Sequence, residues 1–323
     1  MRVLVTGASG CIGAWVVREL LERGAEVVAF DLDASLKRLR LIVPESVAAK
    51  VRVETGAIED TARVKTLVKD GGITHVLHLA ALQMPTCQAN PVQGALVNVV
   101  GTLNVFEAAR DAGRPVRVVY ASSAAVWGPP AEYGERALTE DDPLKPATFY
   151  GIYKQANESC ARVFFKSHGI SSMGIRPWTV YGVGRDQGLT SDPTFAMKAV
   201  ALGKPFKIRL SGSMDLQYVA DVAASFVACT ESRVEGAPVF NLAGDVVKID
   251  EIVAHLDALR PGARDLITFD GPQVPVAWRM DDSALRMTVP GIRRTALRDG
   301  LAETLEIFAR LNVEGRLDES LPT

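Results

Sequence analysis

The stretch MRVLVTGASGCIG, residues 1–13, decides the fold. An apolar run, Val3–Val5, ends directly in a glycine-rich turn, and that turn opens a helical pattern over Ile12–Glu22. Gly7, Gly10 and Gly13 are spaced GxxGxxG. A strand that feeds a tight turn and then a helix sets backbone N–H groups and a helix N-terminus against a pyrophosphate. Glycine-rich turns are common, so the context carries the reading. That context includes an acidic residue at the end of the next apolar run, Asp31 in VVAFDLD, eighteen positions beyond Gly13. A carboxylate there accepts hydrogen bonds from ribose hydroxyls and repels a 2′-phosphate, which favours NAD over NADP. Asp33 is the alternative; Asp31 is preferred because it directly ends the apolar run.

The same alternation continues outward. Apolar runs at Val3–Val5, Val27–Phe30, Val51–Val53, Val76–Leu79 and Val116–Tyr120 read as strands buried on both faces. Helical patterns lie between them at Ile12–Glu22, Leu36–Ile42, Thr61–Lys69 and Val92–Ala112, and Tyr150–His168 with Ser172–Arg176 extends the series. Repeated strand–helix–strand units predict an α/β fold, a Rossmann-type doubly wound parallel sheet with a smaller C-terminal substrate-binding region. Residues 1–177 are expected to form the NAD-binding part, with segments returning near 217–245. Residues 178–216 and 246–323 are expected to cover the substrate. RPWTVYGVGRDQGLTSD, after the sixth strand, has the Gly- and Pro-rich composition of a loop. Short strands at Lys207–Leu210 and Val239–Leu242, and helices at Thr194–Leu202, Val219–Thr230, Asp250–Leu256 and Leu297–Leu311, complete the reading.

Composition bounds the partners. With 323 residues, 48% hydrophobic and 23% charged, the chain is globular. A formal charge of -2 offers no broad attraction to a polyphosphate backbone, so no nucleic acid is expected. Cys11, Cys87, Cys160 and Cys229 are far apart, and His75 and His78 alternate along a strand, so neither a disulfide framework nor a metal site is expected. A strand pattern beginning almost at Met1 and the lack of a membrane-length apolar run lead us to expect a cytoplasmic protein without membrane association.

Several segments in order resemble the extended short-chain dehydrogenase/reductases, and within them the NAD-dependent epimerase/dehydratase family. These are the glycine motif, HLAA (78–81), NVVGTLNVFEAA (98–109) and YASSAAVWG (120–128). The resemblance runs to about residue 245. It implies NAD held by Gly7, Gly10, Cys11, Ile12, Gly13, Asp31, Ile58, Leu79, Ala80, Ala81, Asn98, Ser122, Tyr150, Lys154 and Pro177. It also implies a homodimer formed through the helices at 92–112 and 149–168.

The family's reaction couples hydride exchange at a carbinol to removal of its O–H proton. Tyrosine, with an ordinary pKa of about 10, becomes a base for that proton when a nearby cation favours the phenolate. TFYGIYKQANE (148–158) offers two tyrosines and one lysine. At 3.6 residues per turn, positions i and i+4 share a helix face, whereas neighbours splay apart. Tyr150 is therefore the base paired with Lys154, and Tyr153 is a packing or interface residue. A serine directly before AAVWG completes the family's set, which points to Ser123, with Ser122 in supporting contacts. Asn98 matches an asparagine whose role is structural and includes, in the family, a relay water.

The departures from the family pattern concern the substrate. Cys11 replaces a bulky apolar residue, Ala57 an aspartate, Trp127 a tyrosine and Thr179 an asparagine. Met214 stands where RDFVYVDDVA has the arginine that binds a diphosphate in sugar-nucleotide enzymes. The tentative substrate residues are Gln83, Ser123, Trp127, Thr179, Arg185 and Gln187, with Arg185 meeting a carboxylate. Three functions follow. The favoured one is an NAD-dependent dehydrogenase acting on a small sugar or sugar acid. The alternative is an epimerase that retains NAD, and the third is a catalytically silent dinucleotide-binding protein.

Overall fold

A computed structural model describes residues 1–188 and 190–322. Among the described residues there are twelve strands: β1 (Arg2–Thr6), β2 (Glu26–Asp31), β3 (Arg52–Thr55), β4 (His75–His78), β5 (Arg117–Ala121), β6 (Ser172–Arg176), β7 (Thr179–Tyr181), β8 (Phe206–Ile208), β9 (Ser213–Tyr218), β10 (Val239–Asn241), β11 (Asp245–Lys248) and β12 (Ile267–Phe269). Seven form one parallel sheet in the order β10-β6-β5-β4-β1-β2-β3. The order reverses between β1 and β4, and a ligand crevice opens beyond the carboxyl ends of strands at such a switch point.

The continuous apolar runs divide by alternation. Val3, Val5, Leu77, Val119 and Ile175 face the layer holding Val16, Leu20 and Phe226. Leu4, Val28, Val76, Val118 and Tyr120 face Val64, Leu67, Phe106 and Ala109 on the other side. With period-two side chains, a strand covered on both faces must be apolar at every position.

Two predictions of local structure are corrected. Thr179–Tyr181 is not loop: all three residues are buried, and they pair in parallel with Leu216–Tyr218 of β9, which pairs antiparallel with β11. Tertiary pairing here overrides the Gly- and Pro-rich flanks. The single helix expected over 92–112 is instead a helix at Pro91–Ala95, a π turn at Leu96–Val100 and a helix at Gly101–Asp111. The Asn98 carbonyl, in the π turn, accepts side-chain bonds from Asn157 Nδ2 (2.9 Å) and Thr102 Oγ1 (2.7 Å). Such insertions into the backbone ladder accompany π turns. Among the described residues no helix is long and apolar enough to cross a membrane.

Candidate active site

The glycine loop is shaped by contact. A Cβ on Gly7, which has φ +71°, would lie 2.6 Å from the Ala80 nitrogen, and one on Gly13 would lie 2.1 Å from the Gly7 oxygen. Gly10 caps the helix Cys11–Glu22 without any side-chain hydrogen bond, which leaves its first-turn N–H groups for an anion. Asp31 accepts from Ser9 N (2.9 Å) and Leu32 N (2.7 Å) beside this loop. The Asp33 carboxylate is engaged by Ser35 N and Oγ, both at 2.8 Å. Burial holds the Cys11 thiol neutral, its pKa pushed up to about 12.

The cleft above the loop has a cavity of about 260 Å³ and is also lined by Leu79, Ala81, Gln83, Pro177 and Thr179. Ala80 and Ile58 do not line it. The Ala80 N–H bonds Thr6 Oγ1 at 3.3 Å, and Ile58 lies beneath Gly101, where an added Cβ would approach it to 2.7 Å.

Tyr150 and Lys154 lie in the first turns of the helix Phe149–His168, capped by Thr148 Oγ1 accepting from Gly151 N at 3.1 Å. A Cβ on Gly151 would lie 2.1 Å from the Ala125 oxygen. Glycine thus lets the helix press against the turn that follows Ser123, a requirement the sequence reading missed. Ser123, Tyr150 and Lys154 line one cleft. Lys154 is 4% exposed, and its Nζ donates to the Ala121 carbonyl at 2.7 Å. Burial lowers its pKa to about 8, opposed by Cys87 and Glu158. Burial raises the Tyr150 pKa, while the Ser123 hydroxyl and the charge of Arg185 pull it back. Tyr153 points elsewhere, donating to the Pro91 carbonyl at 2.7 Å and stacking on Phe149.

A buried network supports these groups. Ser122 Oγ donates to Glu158 at 2.5 Å, and Glu158 holds Arg176 through two 2.8 Å bonds. Both amide positions of Asn98 are engaged by Leu82: Nδ2 donates to its carbonyl (2.9 Å) and Oδ1 accepts its N–H (2.7 Å). Asn98 therefore fixes the segment after β4 and does not line the cleft.

At the substrate end two expectations are corrected. Trp127 is fully buried and absent from the cleft, its ring lying 4.7 Å from the Arg176 guanidinium carbon. Gln187 is exposed and faces a neighbouring cavity. Arg185 does line the cleft; one terminal nitrogen donates to Thr190 Oγ1 at 3.2 Å while its buried Nε has no partner. Thr179 lines it too, its buried hydroxyl unpaired. Trp178, Val274 and Val276 complete the wall. The two valines come from a segment about one hundred residues downstream, and no local signal marks them.

The pattern of the NAD dependent epimerase/dehydratase family matches residues 3–243. The chain belongs to this family. UDP-glucose 4-epimerase of Mycolicibacterium smegmatis is 31% identical over 314 residues, 95% of this chain and 98% of that protein. UDP-glucuronate 4-epimerase 3 of Arabidopsis thaliana is 35% identical over 188 residues, 56% of this chain; the match spans only 42% of that longer relative. Among solved structures, MoeE5 in complex with UDP-glucuronic acid and NAD superposes with a TM-score of 0.80 at 30% identity, covering 96% of this chain and 99% of that one. The protein is an NAD-dependent enzyme of the extended short-chain type, and its cofactor is NAD. The residues fit that cofactor: the tight glycine cradle, the unpaired helix N-terminus and a buried lysine facing the cleft are all present.

Proposed function

We propose that the protein is an epimerase that retains NAD and acts on a carboxylate-bearing sugar, carried on a nucleotide as in its relatives. The observation that carries this reading is Arg185, a cation with an unpaired buried Nε in the same cleft as Ser123, Tyr150 and Lys154. A planar guanidinium suits bidentate capture of a carboxylate. Full-length relatedness to a 4-epimerase supports epimerisation over net oxidation, so the dehydrogenase preference drawn from Met214 and Thr179 gives way to the epimerase alternative.

Bound NAD supplies a reversible hydride acceptor. The chain's own residues handle the proton and the orientation. Tyr150 Oη takes the carbinol proton as the C–O bond becomes a carbonyl, and returns it when the carbonyl is reduced from its other face. Ser123 Oγ donates to the same oxygen and shares its developing charge. Lys154, cationic at neutral pH, favours the phenolate. Gly7, Gly10 and the first turn of the following helix bind the pyrophosphate, and Asp31 selects the unphosphorylated ribose.

The test supplies NAD with UDP-glucuronate, UDP-glucose, free sugars and free sugar acids, following product isomers and NADH. Isomerised UDP-glucuronate without net NADH supports the reading, and Arg185→Ala should raise KM for that substrate alone. A second reading, a dehydrogenase of a small free sugar acid, draws on Met214, fully buried where a diphosphate-binding arginine is usual. NADH accumulating with a free acid would favour it.

A further inference from the structure

We propose that Gln217 is a positioning residue that holds Trp178, and that the indole face so presented is the apolar wall on which the substrate's sugar ring packs. The inference rests on the sugar-directed reading above. Trp178 stands immediately before β7, one residue outside the ladder that begins with Thr179 opposite Leu216. Its backbone N–H therefore lacks a strand partner, and Gln217 Oε1 accepts it at 3.1 Å. The amide nitrogen of Gln217 donates to the Leu242 carbonyl at 2.6 Å and to Asp215 Oδ1 at 3.1 Å. An N–H on one side and a carbonyl on the other admit one orientation of the amide.

Gln217 is 3% exposed, so these bonds are made without water. It joins three segments: the entry to β7, the middle of β9 and the chain just after β10. Asp215, fully buried, also accepts the Gly244 N–H at 2.8 Å, and burial pushes its pKa up to about 7. An apolar residue at 217 would leave the Trp178 N–H and the Leu242 carbonyl unpaired inside the protein.

The indole is fixed at its other end as well. Trp178 Nε1 donates to the Ala277 carbonyl at 2.7 Å, which ties the ring to the segment bearing Val274 and Val276. With both of its N–H groups engaged, Trp178 has no free hydrogen-bond donor left for the cleft that it lines. Ser123, Tyr150 and Arg185 supply polar contacts in the same cleft. A sugar ring suits that combination, because it carries apolar C–H patches as well as hydroxyls, and aromatic rings bury such surface in defined orientations.

Two measurements test the proposal with Gln217→Leu, Trp178→Phe, Trp178→Ala and the double variant Gln217→Leu/Trp178→Phe. Acrylamide quenching needs no substrate: subtracting each Trp178→Phe form isolates the Trp178 emission with and without its brace. We expect quenching of Trp178 to rise about twofold or more in Gln217→Leu, as a released ring samples solvent. In steady state, Trp178→Ala and Gln217→Leu should each raise KM for the sugar substrate roughly tenfold with kcat within about threefold, the signature of lost binding common to ground and transition states. NAD titration checks that the variants keep the dinucleotide site. If Gln217→Leu does not fold, Gln217→Met, which keeps the side-chain length but removes both the acceptor for the Trp178 N–H and the donor to Leu242, replaces it in the same comparison. Unchanged quenching overturns the positioning role whatever the substrate is. Increased quenching with unchanged KM overturns the sugar wall. Should the wild type turn over no sugar at all, the functional reading and the sugar wall fail together, while quenching still decides whether Gln217 holds Trp178.

Discussion

The ammonium of Lys154 lies 5.5 Å from the centre of the Tyr150 ring, one helical turn away, and is anchored by the Ala121 carbonyl at 2.7 Å. The lysine thus reaches the cleft from the same helix as Tyr150, and its anchor is the last residue of β5. That places the charge beside the Tyr150 ring.

Tyr150→Phe should cut turnover by roughly 10²–10⁴-fold, the usual contribution of a positioned acid–base group. Tyr153→Phe should leave most activity and cost about 1 kcal/mol of stability, since it loses one bond to the Pro91 carbonyl. Steady-state rates and urea unfolding of both variants check this; equal losses of rate would refute the helix-face assignment.

Lys154 carries a cost for its position. Its depressed pKa, about 8, means that the unfolded chain takes up this proton first as pH falls below the ordinary lysine value. Wild-type stability therefore declines as pH drops from about 10.5 to 8 on this account. Lys154→Met should lose activity yet be more stable at pH 7, by about 1–3 kcal/mol. Denaturation at pH 7 and pH 10.5 should show that gap closing at the higher pH.

His78 sets a limit on the acid side. Thr102 Oγ1 donates to the Asn98 carbonyl, so it accepts from His78 Nε2 (3.0 Å), and Nδ1 is left to accept from Thr6 Oγ1 (2.7 Å). Burial, with the charge of Lys154, lowers its pKa to about 3. The neutral ring stabilises the fold above pH 6.5; that contribution is lost as pH falls from 6.5 toward 3, where the unfolded chain alone binds the proton. Stability should fall by about 2 kcal/mol between pH 7 and pH 5 from this group. In His78→Gln that part of the pH dependence should vanish.

An apolar patch spans two neighbouring helices: Val92 is 76% exposed, Ile152 47% and Val163 60%, with Leu96 and Phe149 beside them. We expect this face to be covered in a homodimer. Sedimentation should give twice the chain mass for the wild type and a shift toward monomer for Ile152→Glu. A monomeric wild type would exclude the arrangement.

Much of this was legible in the chain because it depends on neighbours in sequence. The apolar runs are covered on both faces, so burial itself writes them as strands. The glycine spacing and the i, i+4 relation of Tyr150 and Lys154 are properties of one turn and one helix. The substrate end was less legible. Trp127 looked available in AAVWG, but the sequence does not say that Arg176, 49 positions later, covers its ring. Thr179–Tyr181 looked like loop because its partner strand is far along the chain.

The sequence by itself determined the parallel sheet, the glycine turn and the shared helix face of Tyr150 and Lys154, because short-range geometry dictates each of them. Only the tertiary structure decided which side chains line the cleft and what braces them. Gln217, Trp178, Val274 and Val276 meet through hydrogen bonds and packing between segments far apart in the chain. No local pattern encodes a contact whose two halves are folded together only by the rest of the molecule.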